Sequence, residues 1–399
     1  MHINDISLAA RTRWHILTAA LIGAWVLIGI GINVAGYLGA PVVWWDLIHP
    51  LTIGALTTAI IVFSTHFTEA LTRTANNGYR GVGARVALIQ VGLILLIIDR
   101  AGYDWGLLAD AASLLIIAAL VWQLVFIYTR LRGSLSGSFA VTVPFYAAAS
   151  IFMISSVILV ILSGNGVGDY SFLVAAHSRG MVWGFAWLTI VGTIVTLLPT
   201  LSNTAISPIA RARCTRGLIV YCAGLALTMV CGAVGWTRAA GIAQLLVVLA
   251  AIMIIQPVLA TVLGRNPRLT TASVSVIAGL LWMVALCAGD AVAAALGAYP
   301  RVITLFLVPA FIGGGVLQMV TGVLHHLLPT LVGGGPAKVH HGRATADRAG
   351  FARLVLINLG ALLSLVNALS AGLILMGIGL ALNVLAVGRA VYQQQNLEN

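Results

Sequence analysis

HSRGMVWGFAWLTIVGTIVTLLPTL, residues 177–201, is a long apolar run that begins with a histidine and ends in Leu-Leu-Pro-Thr-Leu. The same ending recurs at 327–331, and in both copies a glycine stands seven residues before the proline. A third, more diverged copy, HPLTIGALTTAIIVFSTHFTEAL at 49–71, also starts with a histidine but lacks the proline. The copies start at residues 49, 177 and 307, so three periods nearly fill the 399 residues. Self-similarity at a fixed period indicates a repeat architecture.

The composition is typical of an integral membrane protein. The chain is 60% hydrophobic and 8% charged, and its mean hydropathy is +1.06, whereas soluble domains carry about 25% charged residues. Because about 20 apolar residues cross a bilayer, we predict an all-α polytopic protein with about twelve transmembrane helices. These would form one transmembrane domain, 1–399, built from three four-helix pseudo-repeats at approximately 11–135, 136–265 and 266–393. The predicted spans are 17–38, 49–71, 85–99, 107–128, 142–163, 173–199, 217–235, 241–263, 272–296, 302–329, 353–371 and 372–391.

The positive charges are distributed unevenly between the two sides of this arrangement. Of the 21 Lys and Arg residues, 17 fall on the side of the N-terminus, including Arg265 and Arg268 between spans eight and nine. The other four are Arg100, Arg179, Arg238 and Arg301. Excess Lys and Arg mark cytoplasmic loops, so we predict a bacterial plasma-membrane protein with both termini cytoplasmic. The net charge of +11 then reflects topology and the lipid bilayer as partner, and no nucleic acid is expected.

Two histidines are the main candidates for a functional site. Ionisable side chains within membrane spans are costly and are therefore candidates for function. His49 and His177 lie near the outer ends of spans two and six, at equivalent positions of two repeat copies. Neutral imidazole is the commonest metal ligand, so the two rings could serve one cofactor if the blocks pack around a pseudo-axis. The alternative is that both are interfacial or hydrogen-bonded residues, with His49, just before Pro50, capping a helix.

A second candidate set lies near the inner surface. His66 and Glu69 stand three residues apart on one face of span two, and His325 and His326 lie at the inner end of span ten. Adjacent residues of a helix point about 100° apart, so only one of the latter two would face a given metal site. The alternative for Glu69 is an ion pair with Arg73, four residues on.

The pattern resembles a known family. Three four-helix blocks, with histidines at the outer start of span two and in span six, resemble subunit I of the haem-copper oxidases and, more closely, their NnrS-type relatives. The segments HPLTIGALTTAIIVFSTHFTEALTR, HSRGMVWGFAWLTIVGTIVTLLPT and GGGVLQMVTGVLHHLLPTLVGGGP are also similar to actinobacterial membrane proteins labelled copper oxidase or nitrite-reductase-associated. The resemblance implies an oxidase-subunit-I-like fold with haem b, copper or both as cofactors. It assigns His49 to a low-spin haem and His177 to copper.

The chain also departs from the oxidase pattern. Met181 stands where that family has a cross-linkable tyrosine, and Trp236-Thr237-Arg238 stand where paired histidines are expected in span seven. The two histidines expected toward the outer part of span ten are absent, since His325 and His326 lie at its other end. A three-histidine copper centre facing a second haem therefore cannot be assembled, and we do not expect complete oxygen reduction.

Two classes of function follow from this sequence. The first is a haem- or copper-binding membrane redox protein that serves an extracytoplasmic multicopper oxidase or nitrite reductase, or that handles nitric oxide or copper. The second is a transporter or permease without a redox cofactor, because internal repeats are common in transporters. A family member that has lost its cofactors and acts as an assembly partner would be a third possibility.

Overall fold

The computed structural model describes residues 8–74, 78–100, 105–134, 139–264, 269–366 and 368–397. The described chain is 88% helical and contains no strand. Arg265 and Arg268, which were assigned to the cytoplasmic side, lie outside these ranges. The α-helices are α1 Leu8–Tyr37, α2 Trp44–His49, α3 Thr58–Thr72, α4 Arg80–Arg100, α5 Leu107–Arg132, α6 Val143–Gly164, α7 Tyr170–Arg179, α8 Leu188–Leu201, α9 Pro208–Ala233, α10 Thr237–Leu263, α11 Thr271–Ala295, α12 Pro300–Ala310, α13 Gln318–Val332, α14 Pro336–Asp347, α15 Gly350–Ser364 and α16 Leu369–Gln395.

Within the described ranges, eleven helical stretches are long and apolar enough to cross a bilayer. Many large apolar side chains point away from the protein, for example Leu27, Val230 and Leu385, each more than 60% exposed. Lipid solvates such side chains, whereas a water-soluble monomer rarely exposes large contiguous apolar patches. The chain is therefore a polytopic helical membrane protein, and the prediction of that class is confirmed.

The predicted eleventh span, 353–371, differs from the structure. Helix α15 has 15 residues, which gives about 22 Å of helix, short of the roughly 30 Å of a hydrocarbon core. The chain turns before Gly372, which lies inside α16. A Cβ added at Gly360 would lie 2.6 Å from the carbonyl oxygen of Gly372, so these glycines let the two backbones meet. The short helix α15 and the long helix α16 thus form a hairpin, and only the predicted twelfth span, 372–391, lies within a helix long enough to cross the bilayer.

Three of the long helices contain a stretch of π-helix. The segments are π1 Pro50–Thr57, π2 Gly180–Trp187 and π3 Phe311–Leu317. In each of these helices an α-helical part precedes the π segment and another follows it, within the continuous stretches Trp44–Thr72, Tyr170–Leu201 and Pro300–Val332. A π-helix bonds residue i to i+5 rather than i+4, is rare, and frequently lies at functional sites.

The chain divides into two compact units, Met1–Gly192 and Thr193–Asn399. In the first, the core is formed by α1 and π1 together with α3 to α6, around fully buried side chains such as Ile89, Leu93 and Leu120. In the second, α9 packs on α10 and α10 on α11, while α15 packs on α16. The candidate residues of spans two and six belong to the first unit.

Candidate functional site

His49 is the last residue of α2 and is held by its own helix. Its Nδ1 lies 2.9 Å from the carbonyl oxygen of Trp45, and its ring stacks on the Trp45 indole with 4.3 Å between centroids. A carbonyl only accepts, so in the neutral ring Nδ1 carries the proton and Nε2 keeps the lone pair. The side chain makes no capping bond to π1. The backbone thus fixes both the tautomer and the direction of the half-buried ring.

His177 lies near the end of α7 and is held by a different helix. Its Nδ1 lies 3.0 Å from the carbonyl oxygen of Ser156 on α6. The Ser156 hydroxyl is itself engaged, donating to Phe152 O at 2.7 Å. The same reasoning as for His49 assigns the proton to Nδ1 and the lone pair to Nε2. The two candidate histidines therefore share one hydrogen-bonding pattern.

The helix that carries His177 begins at a well-formed cap. The carboxylate of Asp169 accepts from the backbone N–H groups of Ser171 at 2.8 Å and Phe172 at 3.1 Å. We expect Asp169→Ala to destabilise the protein by about 1 kcal/mol, because two amide donors lose their acceptor. Asp169→Ser should retain most of the stability, since serine caps equally well. Thermal unfolding followed by circular dichroism in detergent measures this, and equal melting temperatures for all three proteins would contradict it.

The C-terminal part of the helix Trp44–Thr72 borders a cavity of about 270 Å³, lined in part by Trp14, His15, His66, Glu69 and Tyr79. The Trp14 and Tyr79 rings stack there with 5.0 Å between centroids. The His66 side chain is exposed. In the described ranges, no group of three or more His, Cys, Asp or Glu side chains is arranged to hold a metal ion.

Glu69 does not pair with the residue predicted from sequence. Its carboxylate lies 3.6 Å from Nη2 of Arg130 on α5. Arg73 instead adopts a left-handed backbone conformation, with φ of 53°, and ends α3. The predicted Glu69–Arg73 ion pair is wrong: the left-handed backbone of Arg73 takes it out of the helical conformation in which residues four apart face each other.

His325 and His326, in the second unit, both contact arginines. His325 is 3% exposed, its Nδ1 lies 2.7 Å from Thr321 O, and its Nε2 lies 3.3 Å from Nη2 of Arg353. His326 Nε2 lies 2.9 Å from Nη2 of Arg343. A guanidinium can only donate, so each Nε2 lone pair already accepts a hydrogen bond from an arginine. Sequence inspection could not show these partners.

Two buried arginines were missed as site residues. Arg85 is 2% exposed and Arg353 is 6% exposed, although sequence placed both in cytoplasmic segments. Their positions in the sequence could have indicated this burial, because each arginine lies a few residues inside an apolar helix rather than in the loop before it. Arginines at such positions in membrane proteins commonly face the helix bundle.

His49 and His177 thus share the Nδ1–carbonyl contact. His325 has this contact too, but its Nε2, like that of His326, accepts from an arginine. A scan against protein-family models found no match to the chain, and a search of the curated proteins found no similar sequence.

Proposed function

We propose that the protein is a haem- or copper-binding membrane redox protein in which His49 and His177 supply imidazole ligands. One observation carries this proposal: each ring hydrogen-bonds a backbone carbonyl through Nδ1, at 2.9 Å and 3.0 Å. Metal-bound histidines characteristically donate their second ring N–H to a carbonyl or carboxylate, which fixes the ring and raises the basicity of the ligating nitrogen. The contacts with Trp45 and Ser156 supply that arrangement.

The positions of the π segments support the proposed three-block layout, 11–135, 136–265 and 266–393. Segments π1, π2 and π3 begin at residues 50, 180 and 311, close to the period of the sequence copies. In the first two copies the π segment begins one and three residues after the candidate histidine. An oxidase-subunit-I-like fold, oriented with both termini in the cytoplasm of a bacterial cell, would place both histidines near the outer surface.

The residues present fit a haem iron or a copper ion. Imidazole suits both metals, and the half-buried rings are restrained by contacts that leave Nε2 outside the carbonyl hydrogen bond. Such a group, when bound, supplies one-electron chemistry. The chain's own contribution is to hold the two imidazoles in the ligating tautomer. The redox partner would be an extracytoplasmic multicopper oxidase or nitrite reductase, or the site would handle nitric oxide or copper directly.

The test is a visible absorption spectrum of the purified protein, oxidised and dithionite-reduced, with iron and copper analysis. We expect bound metal in the wild type, and at least a roughly tenfold loss of metal occupancy in His49→Ala and in His177→Ala. His326→Ala is the matched control, because its Nε2 already accepts from Arg343, and it should retain wild-type occupancy. Full wild-type metal content in both His49→Ala and His177→Ala would rule the assignment out.

A transporter without a redox cofactor is the second candidate. The observation that favours it is the cavity that His66 and Glu69 line, because ionisable side chains inside a membrane protein mark substrate and ion paths. This reading predicts a colourless protein that stays empty after reconstitution with haem and copper. It also predicts substrate uptake into liposomes that contain the protein alone.

A further inference from the structure

We infer that the first unit binds a small monovalent anion at the buried guanidinium of Arg85, between α3, α4 and α5. This inference goes beyond the redox proposal and does not rest on it. Arg85 lies on α4, five residues after the helix begins at Arg80, and its side chain is 2% exposed. A guanidinium keeps its charge in proteins, so a full positive charge lies inside the helix bundle.

The surroundings of Arg85 stabilise this charge only in part. Its Nη2 donates to Thr65 Oγ1 at 3.1 Å. The guanidinium carbon lies 4.7 Å from the centroid of the Phe126 ring and 5.9 Å from that of Trp122. Aromatic faces attract cations by about 0.5–2 kcal/mol, much less than the cost of taking an ion out of water. The buried Nε–H has no hydrogen-bond partner.

The nearby carboxylate already has another partner. Glu69 lies 3.6 Å from Arg130 Nη2, and this is the ion pair that the described residues show. The Arg130 guanidinium also faces the Phe126 ring, at 5.1 Å from the centroid. The cluster thus holds two guanidiniums and one carboxylate, a net charge of +1. In a medium of low dielectric constant, one positive charge without a counter-charge is unfavourable.

The groups left over in the cluster are donors. Besides the Arg85 Nε–H, the hydroxyl of Thr68 is fully buried and has no partner. Thr68 lies one helical turn from Ser64 and Thr65 and so shares their face of α3. The Gln123 amide, 1% exposed, already donates to Ser64 Oγ at 3.0 Å. A monovalent anion would accept from the two free donors and would cancel the charge.

Enclosure and charge define the chemical class of the ligand. Because Arg85 and Thr68 are at most 2% exposed, the site suits a small inorganic ion such as chloride or nitrate rather than a phospholipid phosphate. A divalent anion would leave a net charge of −1 in place of +1. A water molecule could accept from the Nε–H but would leave the positive charge without a counter-charge. Only a bound anion would therefore make the stability of the protein depend on the anion concentration.

The experiment titrates anions into the full-length protein, purified in detergent in gluconate buffer of constant ionic strength. We expect the melting temperature to rise saturably with chloride and with nitrate, and not with sulfate. The dependence should vanish in Arg85→Gln. In Thr68→Val the apparent affinity should fall about tenfold, because one donor is lost.

Arg132→Gln is the matched control. Arg132 is also an arginine of α5, but it is exposed and faces the ring of Tyr128 at 4.7 Å, so this variant should titrate like the wild type. A wild type without saturable anion dependence would indicate water in the site and would overturn the inference, as would an unchanged dependence in Arg85→Gln. Should Arg85→Gln fail to fold, an unchanged affinity in Thr68→Val overturns it. Metal occupancy is measured separately, so failure of the redox proposal is distinguishable.

Discussion

Gly241→Ala is expected to destabilise the protein by about 3 kcal/mol, near the upper end for overpacking in a well-packed core. Gly241 lies on α10 where that helix meets α11. An added Cβ would lie 2.5 Å from the carbonyl oxygen of Ala291, and closer still to the backbone nitrogen of Ala295. These are backbone atoms, which cannot turn aside as a side chain can, so the two helices would have to separate. Separation would also strain the hydrogen bond from Gln244 to Asp290, 2.8 Å long.

The matched control is Gly289→Ala, on α11. A Cβ added there meets nothing within 4 Å, and alanine favours an α-helix over glycine by up to about 1 kcal/mol. We therefore expect this variant to be as stable as the wild type or slightly more so. The measurement is thermal unfolding of both variants in the same detergent. A melting temperature of Gly241→Ala equal to that of the wild type would contradict the predicted clash.

Arg353→Met should cost about 3–5 kcal/mol, because several buried acceptors lose a charged hydrogen-bond donor. The Arg353 guanidinium donates to Asn383 Oδ1 at 2.8 Å and to the carbonyl oxygen of Ala346 at 2.7 Å. It also donates to the carbonyl of Arg348 and contacts His325 Nε2. Methionine fills a similar volume but donates nothing, so several buried acceptors lose their partner at once.

Two further variants separate charge from geometry at this position. Arg353→Lys keeps the charge but not the planar fork of donors, and we expect it to recover less than half of the lost stability. Arg389→Met, at an exposed position of α16, should leave the melting temperature within about 1 °C of wild type, since surface substitutions have small effects. Full recovery in Arg353→Lys would mean that charge alone, and not the hydrogen bonds, stabilises this cluster.

Much of the fold could be predicted because lipid imposes a simple rule on sequence. Runs of about 20 apolar residues must be helical, and the helical stretches Trp44–Thr72 and Tyr170–Leu201 contain the predicted spans 49–71 and 173–199. The rule failed at 353–371 because the sequence between α15 and α16 contains a single strongly polar residue, Asn367. Mean hydropathy then gives only a weak boundary, and the close contact of Gly360 with Gly372 is a tertiary feature.

For the candidate site, the sequence could predict which residue types are present but not which groups their side chains contact. His49, His66 and His325 look alike in a sequence, and their distinction lies in what each ring contacts. His325 accepts from Arg353, 28 residues away, and Glu69 pairs with Arg130, 61 residues away, rather than with Arg73. Such partners depend on helix rotation, which hydropathy does not specify. Whether His49 and His177 bind a cofactor stays a prediction.

The π segments have a consequence for how these helices tolerate a change in length. Every π-type bond spans one residue more than an α-type bond, and one residue corresponds to about 100° of rotation around the axis. Deleting one residue within π1 would let Trp44–Thr72 wind as a continuous α-helix. Because the wider π turn already accommodates the extra residue, this deletion would keep Trp45 and His49 on nearly the same side of the helix relative to Thr65. Deleting one residue from the α-helical part that follows π1 and precedes Thr65 would instead turn them by about 100°. A one-residue change in length is thus better tolerated within the π segment than beside it.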